Sequence, residues 1–430
     1  KLIFSLVSRV DQSLSCHRKQ KQNIRKYKHD IKVHLYGILS KLFTMESPLS
    51  ICNPEQLNEW INSKTTPSFV ILDVISSAVP PTNTIPTAQC VRMNTFDIYR
   101  YDNDIDSDTK HGDDDPSDSG KVQSPSRKTN NKTPSIKPTN LPTMTYGNFN
   151  IRPKDQLKHA VEALGITQNT RVVVFTQNFK AGVSSPITAA RMAWILCYCG
   201  VLDVKILNGG FGAWKANNYP TINVTSIEDH ATISSTATHR VNFDSNIFPA
   251  RPDFLASTED VLQIVQKNQN GVLADARSWD EYTGKSHGYN FDLGCGRIPG
   301  ARWAHWGPTT YRGGDFSVAD AVGKLQDLSQ IEKFWKEWNI IVPDEKKENQ
   351  NRTIVFYCGS GWRSAMAWVM SQLLGLKNCS SYDGSFLEWN KLHPNAENHS
   401  IETGQPSDYN QKQEQQQQQQ QQQRQHDTKT

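Results

Sequence analysis

Apolar runs of strand length alternate with amphipathic helical segments along much of the chain. Residues 69–73 and 271–275 are two such runs, and each ends on an aspartate. Short runs of this kind are typical of strands buried inside a sheet that helices cover on both faces. A helix start precedes each run, at residues 53–56 and at residues 257–260, where an Asn or Ser cap is followed three positions later by Gln or Asp.

The same order of motifs continues in both halves of the chain. The matched segments are 85–88 with 298–301, 172–177 with 353–358, 193–194 with 367–368, and 209–214 with 384–389. Alternating strands and helices indicate a parallel sheet flanked by helices. We therefore predict an α/β fold with two tandem copies of one domain, at residues 50–222 and 250–398, joined by a linker at 223–249.

Three further segments have compositions that do not predict a packed core. Residues 1–44 are basic, and we interpret them either as an organelle-targeting segment or as a gene-prediction artefact that ends before Met45. Residues 100–145 are rich in Asp, Ser, Thr and Pro, which predicts a disordered insertion. Residues 403–430 contain an uninterrupted glutamine run at 415–423 and are predicted to be a disordered tail.

Charge and cysteine usage narrow the functional classes. The net charge is only +4, so the sequence does not call for a nucleic-acid partner. The sequence contains no apolar stretch of about 18 residues, so we expect no membrane span. Eight cysteines in 430 residues favour a reducing compartment, mitochondrial or cytoplasmic, over a disulfide framework. Cys197 and Cys199 lie in a helical pattern and are expected to pack in a core, and we expect neither a metal nor a cofactor.

Cys358 is the strongest candidate for chemistry. It follows the apolar strand 353–357 and opens the loop Cys-Gly-Ser-Gly-Trp-Arg, after which a helix is predicted from Ser364. Backbone N–H groups of such a turn bind anions and lower the pKa of a thiol, and Arg363 adds a cation at the rim. The alternatives are a small buried Cys, or a nucleotide-phosphate loop, although the loop lacks the Lys of a P-loop.

With these residues and several further motifs, the sequence resembles that of the tandem-domain rhodaneses, which are thiosulfate and 3-mercaptopyruvate sulfurtransferases. The resemblance is carried by the Cys358 loop, Asp-Ala-Arg277, Gly-Arg-Ile-Pro-Gly-Ala at 296–301 and Tyr-Asp-Gly-Ser-Phe at 382–386. It implies transfer of a sulfane sulfur through a persulfide on Cys358 to cyanide or a thiol, such as that of a thioredoxin-like protein. It also implies substrate-binding roles for a set of neighbouring residues: Gly359, Ser360, Gly361, Trp362, Arg363 and Arg277. For Arg277, an ion pair with Asp275 or Glu281 is an equal alternative.

The first copy has Gln177 where the second has Cys358, so we expect the first copy to be inactive. Trp362-Arg363 stands where 3-mercaptopyruvate enzymes have Val-Thr, which favours thiosulfate as the donor and leaves 3-mercaptopyruvate as the alternative. Phosphatases also use a Cys-loop-Arg cradle, but their loop is one residue longer. A non-catalytic binding scaffold is the alternative from another class.

Overall fold

The computed structural model describes a defined set of residues: 47–63, 69–76, 81–98, 149–177, 186–228, 241–243, 247–267, 270–289, 293–304, 328–342, 352–392 and 400–406. The predicted basic segment 1–44, the predicted insertion 100–145 and the glutamine run lie outside these residues. None of the described helices is both long enough and apolar enough to cross a bilayer.

The first domain is built on a parallel sheet with the strand order β4-β2-β5-β6-β1. Its strands are β1 (Leu49–Cys52), β2 (Phe69–Ile75), β4 (Gln89–Arg92), β5 (Arg171–Phe175) and β6 (Asp203–Leu207), and a short pair is formed by β3 (Asn83–Thr84) and β7 (Ile222–Asn223). Its helices are α1 (Pro54–Asn62), α2 (Lys154–Ala163), α3 (Pro186–Cys199) and α4 (Gly210–Ala216). The helix start predicted at Asn53 is confirmed, because the Asn53 N–H donates to Gln56 Oε1 at 2.9 Å.

The second domain repeats this sheet in the order β10-β9-β11-β12-β8. Its strands are β8 (Leu255–Ala256), β9 (Gly271–Asp275), β10 (Arg302–Trp303), β11 (Thr353–Tyr357) and β12 (Cys379–Tyr382). Its helices are α5 (Thr258–Val265), α6 (Trp279–Tyr282), α7 (Ser329–Glu337), α8 (Trp362–Leu373) and α9 (Ser385–Leu392). Corresponding strands occupy corresponding places in both sheets, which confirms two tandem α/β domains.

Two boundaries differ from the sequence prediction. Strand β2 continues past Asp73 to Ile75, because its last residues pair with β4 up to Arg92. Helix α8 begins at Trp362 rather than Ser364. The reason is that Gly361 adopts a left-handed conformation, with φ +90°, and caps the helix, so Trp362 and Arg363 are already helical.

The two domains share an apolar interface at α3 and α8, which pack along each other. Trp194 and Trp368, one from each helix, are fully buried at matched positions of the repeat. Both contact Phe254: the Trp194 indole N–H donates to its carbonyl at 3.0 Å, and the Trp368 ring lies 4.7 Å from its ring centroid. Truncating a fully buried Trp of this kind costs about 3–5 kcal/mol. The Trp194 hydrogen bond crosses from the first domain to the second.

The chain after α9 packs back onto the second domain. Arg297 and Glu402 exchange backbone hydrogen bonds, and their side chains form an ion pair of 3.2 Å. The Gly404 N–H donates to the Thr283 carbonyl at 2.8 Å, and Arg297 Nη1 donates to the Gly404 carbonyl at 2.7 Å. The first residues of the segment predicted to be a tail are therefore bonded to the domain, and the rest of that segment lies outside the described residues.

Candidate active site

Cys358 lies at the carboxyl end of β11, in the middle of the second sheet, and its side chain is fully buried. The Gly361 N–H donates to its Sγ at 3.2 Å, within the loop that links β11 to α8. Ser385 flanks the thiol from the next strand-to-helix connection. Its Oγ accepts the Cys358 N–H at 3.1 Å, donates to the Tyr382 carbonyl at 2.8 Å and lies 3.9 Å from Sγ.

The orientation of the loop peptides is set by α9. The first N–H groups of a helix have no partner within that helix. Here the Phe386 N–H donates to the Cys358 carbonyl at 3.0 Å, and the Leu387 N–H donates to the Gly359 carbonyl at 2.9 Å. With these carbonyl oxygens held by α9, the N–H groups that follow in the loop face the sulfur.

The environment favours the thiolate of Cys358. Burial alone raises the pKa of a thiol, but the positive charge of Arg363 and the N–H groups of Ser364, Ser360 and Gly361 outweigh it. The pKa of Cys358 is therefore lowered, whereas burial raises the pKa of Cys379, one strand away, to about 12. Only a thiol that ionises readily is a good nucleophile near neutral pH.

Arg363 is buried, not at the rim as the sequence analysis predicted. Its Nη1 and Nη2 donate to the two carboxylate oxygens of Glu281 at 2.9 and 2.7 Å, and Nη2 also donates to the Tyr289 hydroxyl at 2.8 Å. Burial opposes ionisation of Glu281, yet the Arg363 charge outweighs it and lowers the pKa of that carboxyl to about 2. A buried guanidinium needs such a partner, which explains why Arg363 turns inward.

Arg277 lies beside the loop, since the neighbouring Ala276 N–H donates to the carbonyl of Tyr357 at 2.8 Å. Its Nε and Nη2 form an ion pair with Asp275 at 3.0 and 2.7 Å. Of the two ion-pair partners considered for Arg277, Asp275 and Glu281, the structure therefore shows Asp275. Nη2 also donates to the Gly296 carbonyl at 2.6 Å. Nη1 is buried and has no hydrogen-bond partner among the described residues.

The remaining predicted residues belong to the same loop as Cys358. Ser360 and Trp362 are buried at the two sides of Gly361. Gly359 lies against Tyr289, and a Cβ added there would be 2.1 Å from the tyrosine hydroxyl oxygen, so only glycine fits. Arg297, in the motif at 296–301, is bonded to the segment after α9. Its side chain is paired with Glu402 and is only 5% exposed.

Glu281, Tyr289 and Ser385 also belong to the site, although the sequence did not predict them there; Glu281 was considered only as a partner of Arg277. Ser385 lies in the recognised Tyr-Asp-Gly-Ser-Phe motif, and its φ of +49° is unusual for a residue with a side chain. Glu281 and Tyr289 reach Arg363 across 82 and 74 residues of sequence, so no local spacing predicts these contacts. In the part of the chain that the structure describes, no group of His, Cys, Asp and Glu side chains could hold a metal ion.

Comparison with known proteins agrees with this architecture. The family model for the rhodanese-like domain matches residues 257–392, which include Cys358 and its loop. SseA of Mycobacterium leprae, assigned by name to the thiosulfate sulfurtransferases, is 31% identical over 241 residues, which cover 55% of this chain and 68% of SseA. The chain belongs to the tandem-domain rhodanese family.

Other rhodaneses extend the comparison. The thiosulfate sulfurtransferase YnjE of Escherichia coli is 33% identical over 235 residues, 55% of this chain, and this alignment spans about half of YnjE (48%). The crystal structure of YnjE superimposes with a TM-score of 0.59 at 22% identity, covering 83% of this chain and 68% of that one. At this identity the structural match establishes the shared fold.

Proposed function

We propose that this rhodanese moves a sulfane sulfur from thiosulfate to a thiophilic acceptor through a persulfide on Cys358. The observation that carries the proposal is the buried Sγ, which accepts the Gly361 N–H at 3.2 Å and has a lowered pKa. Covalent catalysis of this type divides one difficult transfer into two easier displacements. The names of the relatives, YnjE among them, support the same class of reaction.

The two displacements balance without an added oxidant or reductant. In the first, the Cys358 thiolate attacks the outer sulfur of thiosulfate, a new S–S bond forms, and sulfite leaves with the electron pair of the broken bond. In the second, cyanide or a thiolate attacks the terminal sulfur of the persulfide. The acceptor gains that sulfur as thiocyanate or a new persulfide, and the electron pair returns to Cys358 Sγ as the thiolate.

The loop stabilises the negative charge at the reacting sulfur atoms. Preorganised N–H donors in a water-excluded site typically contribute about 3 kcal/mol each to lowering a barrier. The N–H groups of Ser360, Gly361 and Ser364 supply such donors to Sγ. A terminal persulfide sulfur would lie just beyond this position, so the same donors would serve both displacements.

Two arginines supply the positive charge for a doubly negative donor. Arg277 Nη1 has no partner among the described residues, so it is our candidate to bind the sulfonate oxygens. Both Nη atoms of Arg363 bind Glu281, and a bidentate bond to the donor would break that pair. We therefore assign Arg363 the task of keeping Cys358 ionised. Gly359 and Trp362 shape the pocket in this proposal.

Intact-mass measurement tests the proposal. The wild-type protein is incubated with thiosulfate, and the same is done with Cys358→Ser and with Cys379→Ser as a matched control for a buried thiol. We expect a gain of one sulfur atom in the wild type and in Cys379→Ser, its removal by cyanide, and no gain in Cys358→Ser. Cys295 is exposed, so peptide mapping must place the added sulfur on Cys358.

Other outcomes redirect or reject the proposal. A gain with 3-mercaptopyruvate but not with thiosulfate would transfer the chain to the mercaptopyruvate branch, in which a carbon-bound sulfur is donated. No gain with either donor would reject sulfur transfer, and a rhodanese-like binding scaffold would then be the better description. A gain that persists in Cys358→Ser would show that another thiol carries the sulfur.

A further inference from the structure

Arg191, in α3 of the first domain, reaches the catalytic loop of the second domain. Its side chain is fully buried. Within the first domain, Nε and Nη2 donate to the two oxygens of Asp97, both at 3.0 Å. Across the interface, Nη2 donates to Asp383 Oδ1 at 2.5 Å, and Nη1 donates to the carbonyl of Gly361 at 3.1 Å. One guanidinium therefore joins both domains at the loop that holds Cys358.

Gly361 is the residue whose N–H donates to the sulfur. Its N–H belongs to the peptide before its Cα and bonds to Cys358 Sγ, whereas its carbonyl belongs to the peptide after it and accepts from Arg191. Glycine has more accessible backbone conformations than any other residue, so its left-handed conformation needs external restraint. The Arg191 bond and the Ser364 hydroxyl, 2.9 Å from the same carbonyl, provide that restraint.

The first domain also contacts the segment that contains Ser385. Asp383, which binds Arg191 through one oxygen, accepts the Ile151 N–H of the first domain through the other at 2.9 Å. Asp383 lies two residues before Ser385, whose hydroxyl accepts the Cys358 N–H. The first domain thus contacts both of the segments that supply hydrogen bonds to Cys358.

We propose that Arg191 is a positioning residue for sulfur transfer, which binds the Gly361 carbonyl and so holds Gly361 in the left-handed conformation in which its N–H points at Cys358 Sγ. This inference rests on the function proposed above. The first copy has no nucleophile of its own at Gln177, yet it contributes a residue on which the geometry of the active loop depends. The fork of a guanidinium is required, because a lysine ammonium cannot span Asp97, Asp383 and the Gly361 carbonyl together.

Arg191→Lys tests the proposal because it keeps the charge and removes the fork. We expect the variant to fold, with kcat for sulfur transfer reduced about tenfold or more, as for a weakened anion-hole donor, and KM within about twofold. We also expect the pKa of Cys358 to rise by about half a unit or more, because a weakened hydrogen bond to the charged form disfavours it. That pKa is measured from the pH dependence of iodoacetamide alkylation, with the Cys358 peptide followed by mass spectrometry.

Arg171→Lys is the matched control. Arg171 forms a first-domain ion pair with Asp203 at 2.8 Å, in a different part of that domain from the loop. We expect its kcat and its alkylation profile to equal those of the wild type. Asp97→Asn gives a second measurement, because it loosens Arg191 without removing it. We expect a smaller fall in kcat and a smaller rise in the pKa of Cys358 than in Arg191→Lys.

The readouts separate this inference from the proposed function. A variant of Arg191 that melts at a lower temperature but keeps the wild-type kcat and thiol pKa would show a purely structural role and overturn the proposal. If Arg191→Lys does not fold, unchanged kcat and thiol pKa in Asp97→Asn would overturn it. If the wild type takes up no sulfur but the alkylation shift is present, the positioning role stands and the proposed function fails.

Discussion

The sheets of the two domains have the same strand order, but the residues at the ends of their central strands differ. In the second domain, β11 leads to Cys358, and Asp275 at the end of β9 is paired with Arg277. In the first domain, Gln177 takes the place of the cysteine, and Ile75, the counterpart of Arg277, continues strand β2. The fold therefore tolerates loss of the nucleophile together with loss of the arginine on the neighbouring strand.

Asp73 of the first domain shows what Arg277 does for Asp275, because Asp73 forms no ion pair among the described residues. Asp73 is fully buried and accepts hydrogen bonds from Thr84, Cys90 and Gln177, all through Oδ2. Oδ1 has no partner among the described residues. Burial without a cation raises the pKa of Asp73 to about 6. Gln177 thus acts as a hydrogen-bond donor to this carboxylate where the second domain has a nucleophile.

The largest expected effect is that a thiol supports sulfur transfer at position 358 but not at position 177. Cys358→Ser should reduce sulfur transfer by about a thousandfold or more, as loss of a nucleophile does in other covalent enzymes. Adding Gln177→Cys to this variant should not restore it, because an anionic Asp73 without an arginine disfavours a nearby thiolate. Transfer to cyanide and the intact mass are the measurements. A persulfide on the double variant would contradict the comparison.

Glu281→Gln should destabilise the second domain by about 3–5 kcal/mol, because Arg363 would be left as a buried charge without its carboxylate. The pKa of Glu281 is lowered to about 2 in the folded state, below its ordinary value. Its contribution to stability is therefore complete above about pH 5 and is lost as the pH falls toward 2.

Urea unfolding at pH 7 and pH 3 measures this difference. Glu332→Gln is the control, because Glu332 pairs with Lys336 on the surface, where such a pair is worth less than about 0.5 kcal/mol. Equal stability of Glu281→Gln and the wild type at pH 7 would argue against the buried pair.

Asp73→Asn should stabilise the first domain above pH 6, on the order of 2 kcal/mol. The folded pKa of Asp73 lies above its unfolded value, so the wild type binds more protons when folded and loses stability as the pH rises from about 4 to about 6. An asparagine keeps an oxygen for the three donors and removes this loss. Thermal unfolding at pH 5 and pH 8 measures it.

Asp203→Asn is a control for which we expect the opposite change in stability. Asp203 binds Arg171 and Lys205, and its pKa is lowered, so its replacement should reduce stability at pH 8. If Asp73→Asn and Asp203→Asn shift the melting temperature in the same direction, the account of the unpaired carboxylate is wrong.

Ser385→Ala should have the smallest effect, about 1 kcal/mol, equivalent to roughly a fivefold fall in alkylation rate at pH 7. The Sγ contact is long, at 3.9 Å, but the Cys358 N–H would lose its acceptor. Ser371→Ala is a suitable control, since that buried hydroxyl donates to Trp368 in the same domain. An alkylation rate equal to that of the wild type would remove Ser385 from the site.

The sequence predicted the parts of the molecule that depend on local spacing. Strand β11, the Cys358 loop and the start of α5 follow from residues within a few positions of one another. The duplication also indicated which segments of the two halves correspond. Arg363 was predicted at the rim because the loop alone does not reveal a carboxylate 82 residues earlier that draws it inward.

Contacts between the domains could not be predicted in this way. Arg191 reaches Gly361 across 170 residues, and its helix is apolar enough to suggest a plain core helix. Its four neighbours in the network, Asp97, Phe149, Gly361 and Asp383, come from separate segments. Only the packing of α3 against α8 brings them together.

The bonded segment beyond α9 has a practical consequence for anyone who shortens this chain. The family match ends at residue 392, and a fragment cut there would lack Glu402 and Gly404. Arg297 would then lose its ion pair and an acceptor in a nearly dry position. The adjacent Gly296 carbonyl holds Arg277 Nη2, so the loss would reach the active loop. A fragment for crystallisation or assay should therefore extend through Gly404.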